Sequence, residues 1–212
     1  MAKTLKKGFF ITLEGPEGSG KSTQSRLLTG FLKRKGFKVV HIWDPGSTKF
    51  GEAIRSILLT PGKKFSSHAE TMLYLAARAQ LVDEKIIPAL KDNYIVICDR
   101  FIDATVCYQG YGLGVDIKEI EKFNTFVTRS ISPDITFFLD TIVEKGLKRA
   151  RGVKGFSDRI EKRAISFHRK VRDGYFKLLK KHNKRIKRID IEKNNKNQTQ
   201  DIIRGIVLDA LK

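Results

Sequence analysis

An α/β domain built on a five-stranded parallel sheet, with helices on both faces, is the fold class this chain predicts. Short apolar runs alternate with long amphipathic stretches from one end to the other, which is the pattern of a parallel sheet covered by helices. The first apolar run leads straight into a glycine-rich loop of the kind that joins a strand to a helix. Size agrees with this, because 212 residues at 41% apolar composition can bury a full core and suit one domain, 1–212, better than two.

The expected strands are Phe9 to Glu14, Lys38 to Ile42, Ile95 to Cys98, Ile135 to Leu139 and Arg185 to Asp190. Helical spacing of apolar residues places helices near Ser22 to Lys35, Phe50 to Leu59, Ala69 to Leu90, Ile117 to Arg129, Val143 to Ala150, Ile160 to Lys181 and Thr199 to Leu211. Gly36, Pro61-Gly62, Pro88 and Pro133 fall at or near element ends. Asn194 to Asn197 reads as a polar turn.

Residues Gly15 to Ser22 read GPEGSGKS and match the phosphate-binding pattern G-x-x-x-x-G-K-[ST]. Gly15 and Gly20 leave backbone N–H groups uncovered, and the helix that follows directs its N-terminus at the anion. The whole segment Gly15, Pro16, Glu17, Gly18, Ser19, Gly20, Lys21, Ser22 and Thr23 is therefore expected to cradle the phosphates of a polyphosphate ligand. Lys21 adds a point charge at the β/γ-phosphates and Ser22 offers a hydroxyl to Mg²⁺. In open parallel sheets ligands gather at the carboxyl ends of the strands. Asp99 and Arg100, directly after the third strand, are thus expected beside the loop, the carboxylate for Mg²⁺ and the guanidinium for a phosphate. The basic, glycine-containing stretch at about 149–160 is expected to be a short lid, whose arginines close over the migrating phosphoryl group and exclude water.

The net charge of +19 raises the question of a nucleic-acid partner. Between Lys145 and Lys193 there are 19 basic against five acidic residues, spread along helix-like stretches rather than interleaved with a row of exposed aromatics. With no nucleic-acid motif beside it, that charge reads as a solvated basic face together with the arginines of a nucleotide site. No stretch approaches the roughly 20 apolar residues of a membrane helix, and the basic N-terminus is expected to be neither signal peptide nor anchor. Cys98 and Cys107, the only two cysteines, lack metal-ligand spacing and suit the reduced core of a cytoplasmic protein.

Taken together, the motifs resemble those of the thymidylate kinases, nucleoside monophosphate kinases that phosphorylate dTMP with ATP. The resemblance runs through Ile11 to Gln24, through Asp44-Pro45-Gly46-Ser47-Thr48 with the Gly51 to Arg55 helix start, and through Tyr74-Leu75-Ala76-Ala77-Arg78. It continues in Asp99 to Gly110 and in the lid's closing Asp158-Arg159-Ile160-Glu161. It implies a P-loop kinase fold, Mg-ATP and dTMP as ligands, and a homodimer formed through the Ala69 to Leu90 and Ile117 to Arg129 helices. It implies that Glu17 accepts the 3′-hydroxyl of the deoxyribose, Arg78 donates to thymine O4, Tyr74 stacks on the base and Thr105 faces N3. Tyr108 would crowd the 2′ position, Gln109 would belong to the same acceptor pocket, and Arg55 and Arg100 would hold the acceptor phosphate. Lys21, Arg100 and the lid arginines Arg149, Arg151 and Arg159 would form the catalytic set. The chain departs from the family pattern at Tyr74 (usually Phe), Phe101 (Tyr), Asp44 (Glu), Trp43 (Arg) and Ala104 (Ser). Those departures leave room for another deoxynucleotide or deoxynucleoside kinase, and a non-catalytic P-loop module that binds nucleic acid is the remaining alternative.

Overall fold

The computed structural model describes residues 5–154 and 158–212. Its sheet has five parallel strands, β1 (Phe9–Glu14), β2 (Val39–Trp43), β3 (Ile95–Asp99), β4 (Ile135–Asp140) and β5 (Ile186–Asp190), in the order β2-β3-β1-β4-β5. β1 and β4 are buried along their whole length, as strands covered on both faces must be, and this is why they read as unbroken apolar runs. The flanking strand β2 is only partly covered, with His41 half-buried and Trp43 exposed. The strand order reverses direction at β1, so the crevice at its carboxyl end is where an α/β sheet receives its ligand.

The helices are α1 (Lys21–Arg34), α2 (Lys49–Leu59), α3 (Ser67–Leu81), α4 (Ile87–Lys91), α5 (Ile102–Thr105), α6 (Ile117–Val127), α7 (Val143–Lys154), α8 (Ile165–Lys181) and α9 (Lys196–Ala210). One apolar cluster joins Leu28 and Leu32 of α1 and Ile203 and Val207 of α9 to one face of the sheet. On the other face, Phe138 packs with Phe167, Val171, Tyr175 and Leu178 of α8.

Four departures from the sequence expectation have physical causes. The single helix expected over Ala69 to Leu90 is interrupted by a wide π-type turn, Val82–Ile86, before α4. Pro88 has no N–H to return to the preceding turn, and widening the ladder upstream accommodates it. The helix expected from Ile160 begins only at Ile165, because Asp158 Oδ1 accepts from the backbone N of Ile160 (3.0 Å) and Glu161 (2.9 Å) and turns the chain first. Residues 194–197 are more than a turn: Asn195 caps α9 in a capping box with Gln198. Helical structure over Ile102–Thr105 and a π-type segment, Val106–Gly112, had no counterpart in the sequence pattern. That segment lies so close to α8 that a Cβ on Gly174 would come within 2.6 Å of the Tyr111 ring, so tertiary packing rather than periodicity defines it.

Candidate active site

The phosphate loop follows β1 and ends at Gly20, which takes a left-handed φ of 86° and leaves the N-terminus of α1 with no side-chain cap. A helix start of that kind offers its N–H groups and positive dipole end to an anion. Gly18 is held at φ 64°, and a Cβ there would lie 1.9 Å from the Gly146 carbonyl oxygen, so the loop can pack on α7 only as glycine. Lys21 Nζ sits in the cup of the loop, donating to Gly15 O (3.0 Å), Pro16 O (2.7 Å) and Ser19 Oγ (3.2 Å). Burial, followed by the nearby Arg100 guanidinium, pulls its pKa down to about 8.

Ser22 Oγ donates to Asp99 Oδ2, joining the loop's hydroxyl to the carboxyl end of β3. A hydroxyl beside a carboxylate is a hard oxygen pair that fits Mg²⁺, an ion bound through one or two carboxylates and substrate phosphates rather than by a protein cage. Among the described residues no group of three or more His, Cys, Asp or Glu side chains forms such a cage.

The acceptor wall is built around Glu17. Its Oε1 accepts from Arg100 Nη2 (3.0 Å) and Tyr108 OH (2.6 Å), and its Oε2 accepts from His168 Nδ1 (3.1 Å). Burial alone would raise this carboxyl's pKa, but the His168 hydrogen bond and the charges of Arg100 and Lys21 hold it well below the usual carboxylate range. Arg100 takes a left-handed φ of 69°, donates through Nη1 to Gly15 O (3.1 Å) and lies 4.7 Å from the Tyr108 ring centroid. Behind it, Glu14 accepts from Phe101 N (2.7 Å) and Tyr175 OH (2.8 Å). Burial and neighbouring Asp103 raise the Glu14 pKa.

Deeper in the pocket, Arg78 is 1% exposed. Its Nε donates to Asp44 Oδ2 (2.6 Å), Nη1 to Asn124 Oδ1 (2.6 Å) and Nη2 to Phe101 O (3.0 Å). Of a guanidinium's five N–H groups, two remain for a ligand, so Arg78 is a structural tie as well as a candidate contact. Arg55 Nη1 donates to Pro45 O (2.9 Å), just after the cis Asp44–Pro45 bond. Thr105 Oγ1 is buried with no partner among the described residues. Gln109 donates to Glu70 Oε1 (3.0 Å). Tyr74 packs against α2, and burial raises its pKa, which keeps it a neutral phenol. Trp43, where the family pattern has Arg, donates its indole N–H to Glu52 Oε1 (2.8 Å) and braces the turn around Ser47.

The lid arginines are arranged differently from the sequence expectation. α7 runs past its expected end at Ala150 through Lys154, so Arg151 joins Arg149 on a helix, while positions 155–157 of the expected lid lie outside the described residues. Arg149 donates to Thr141 and to Glu192 Oε1 (2.8 Å), Arg151 to Glu161 O (3.3 Å), and Arg159 to Glu70 Oε2 (2.7 Å) and Leu58 O (2.6 Å). Among the described residues none of the three donates to the phosphate loop, because each is held by a nearer acceptor. Sequence reasoning missed Glu14, Glu70, His168 and Tyr175. A signal existed for the last two: His168, Val171, Tyr175 and Leu178 share the buried face of α8, and a histidine and a tyrosine on a helix's apolar stripe ask for polar partners.

A loop that cups phosphates at the switch point of a parallel sheet, facing a wall of arginine, tyrosine and carboxylate, defines a P-loop nucleotide kinase. The comparisons narrow the class. The family model described as thymidylate kinase matches residues 13–203. A thymidylate kinase of Exiguobacterium sp. is 45% identical over 203 residues, covering 95% of this chain and 93% of that protein. That of Halothermothrix orenii is 49% identical over 174 residues, covering 81% of this chain and 84% of that protein. The crystal structure of thymidylate kinase from Ehrlichia chaffeensis superposes with a TM-score of 0.77 at 33% identity, covering 95% of this chain and 99% of that one. The chain belongs to the thymidylate kinase family.

Proposed function

We propose that this protein transfers the γ-phosphoryl group of ATP to the 5′-phosphate of dTMP, giving dTDP and ADP. The observation that carries this reading is Glu17: it lies inside the donor-phosphate loop, yet its carboxylate is tied to Arg100, Tyr108 and His168 on the acceptor side. One segment thereby holds the donor through its backbone and the acceptor through a side chain. An acceptor phosphate oxygen attacks the γ-phosphorus while the bond to the β–γ bridging oxygen breaks, and the bridging electrons leave with ADP. Lys21 and Arg100 neutralise charge across the β/γ bridge and the acceptor phosphate, and Arg149, Arg151 and Arg159 add to that neutralisation from the lid. No general base is required, since the acceptor phosphate is largely ionised near neutral pH. Ser22 and Asp99 would hold Mg²⁺, which when bound would supply further charge neutralisation on the ATP phosphates.

For the acceptor, Glu17 takes the 3′-hydroxyl, Tyr108 crowds the 2′ position, and Arg55 and Arg100 take the phosphate. Tyr74 stacks on the thymine, Arg78 uses its remaining N–H groups on O4, and Thr105 Oγ1, buried without a partner among the described residues, accepts from N3. Gln109 orders this pocket through Glu70. The protein works as a single kinase domain and a cytoplasmic homodimer. Met72 of α3 and Phe123 and Phe126 of α6 are exposed large apolar side chains on the two helices proposed for the dimer contact, which supports that reading. No helix among the described residues is long and apolar enough to cross a membrane.

Steady-state ADP release with dTMP, dUMP, dCMP and dGMP tests the reading. dTMP is expected to give the highest kcat/KM, and a dTMP value no better than the other three rejects it.

A further inference from the structure

His168 has no place in the set of residues that sequence motifs assign to this site, yet it is 1% exposed and reaches the loop from α8, 151 positions along the chain from Glu17. A carboxylate offers only acceptors, so at 3.1 Å the imidazole Nδ1 is the donor and Glu17 Oε2 the acceptor. Its other nitrogen, Nε2, is buried with no partner among the described residues. The ring lies edge-to-face with Phe167, whose centroid is 5.2 Å away. It is a fixed donor on a rigid element.

Counting the lone pairs shows what that donor does. A carboxylate has about four acceptor positions, two on each oxygen. On Glu17, Oε1 is filled by Arg100 Nη2 (3.0 Å) and Tyr108 OH (2.6 Å), whereas Oε2 receives only His168 Nδ1. The open position is therefore on Oε2, the oxygen that the histidine holds. Arg100 and Tyr108 both pull on Oε1 and leave the carboxylate free to pivot about it. The hydrogen bond to Oε2 fixes the remaining torsion and so fixes where the open lone pair points.

We propose that His168 is a positioning residue for the acceptor: it holds Glu17 so that the open lone pair on Oε2 meets the 3′-hydroxyl of the deoxyribose. This rests on the reading that Glu17 accepts that hydroxyl. It adds a residue that touches no substrate and acts through the carboxylate. Arg100 alone does not provide this, because its guanidinium is shared among Glu17, Gly15 O and the Tyr108 ring.

The test compares kcat/KM for dTMP with that for 3′-deoxythymidine monophosphate, which lacks only the hydroxyl in question, in the full-length protein. His168→Phe keeps the ring volume and removes the donor, whereas His168→Asn places an amide nitrogen close to the Nδ1 position. His168→Phe is expected to cut the preference for dTMP over the 3′-deoxy acceptor by about tenfold, the effect of losing one hydrogen bond to a charged group. KM for ATP should stay unchanged, and His168→Asn should restore the preference to within about threefold of wild type. If His168→Phe does not fold, His168→Gln, whose amide reaches the Nε2 side instead, takes its place. Equal loss for both acceptors, or no rescue by His168→Asn, reduces His168 to a packing residue and overturns the proposal. Glu17→Ala separates the two levels. If it leaves the preference intact, the reading of Glu17 itself fails and the proposal falls with it. If it abolishes the preference while His168→Phe does not, only the role of His168 is lost.

Discussion

The acceptor wall and the lid arginines differ in how they are held. Arg78 and Tyr108 are buried and Glu17 and Arg100 half-buried, and their hydrogen bonds join the phosphate loop, the ends of β2 and β3, α6 and α8. Arg149, 44% exposed, instead rests on the half-buried Glu192, and Arg151 on a backbone carbonyl. Arg159, 10% exposed and paired with buried Glu70, is held like the wall. A buried, cross-braced site loses little freedom when its ligand arrives. Exposed ion pairs contribute only about 0–1 kcal/mol and exchange partners easily. On the proposed reading, recognition of the nucleoside is built into the fold, while charge for the migrating phosphoryl group comes from Arg149 and Arg151, side chains that must change partners.

The sharpest way to break this comparison is Arg78→Ala. It leaves Asp44 as a buried carboxylate without its guanidinium, and a loss of about 3–5 kcal/mol of stability is expected in urea unfolding; a loss under about 1 kcal/mol would mean the wall is not cross-braced. Arg100→Lys keeps the charge but not the fork that serves Gly15 O and Glu17 together. kcat/KM is expected to fall about 100-fold, equivalent to about 2.7 kcal/mol, with Tm shifted by only a few degrees. Arg149→Ala and Arg151→Ala sharpen the other side. Each should lower kcat about tenfold or more in the same assay, with no measurable change in Tm. If either variant unfolds earlier but turns over normally, the arginine is structural.

The smallest effect is on pH dependence. Hydrogen bonding from Thr141, opposed by burial and reinforced by hydrogen bonds from Arg149 and Lys145, lowers the Glu192 pKa from 4.5 to about 2. A depressed carboxylate contributes stability that is present above about 4.5 and lost as pH falls through about 2. The gap in Tm between wild type and Glu192→Gln should therefore close as the pH is lowered across that window, and a gap independent of pH would show that Glu192 carries no preferential charge.

Much of this was legible in the sequence, for a physical reason. β1, β3 and β4 are central strands covered on both faces, so they must be unbroken apolar runs, and the phosphate loop needs its glycines and lysine at fixed offsets because backbone and anion meet within one short segment. Strand ends were less clear: Asp99 and Asp140 are the last residues of their strands rather than the first of the loops that follow, since the ladder tolerates a polar residue at its edge. The roles of Glu14, His168 and Tyr175 were hidden because their partners lie 87 to 161 positions away. Arg159 was hidden in the same way, its partners Leu58 and Glu70 lying 101 and 89 positions away, whereas Arg149 and Arg151 are long, exposed charged side chains that settle on nearby acceptors.

The measurement that bears most directly on the account is a pair of crystal structures, one with dTMP alone and one with dTMP and a non-hydrolysable ATP analogue with Mg²⁺. The account predicts that Glu17, Arg78, Arg100, Thr105 and Tyr108 keep their present positions and partners in both structures, while Arg149 or Arg151 leaves Glu192 or the Glu161 carbonyl for the ATP phosphates only in the second. An acceptor wall that rebuilds itself around dTMP, with lid arginines unmoved when both nucleotides are bound, would contradict it.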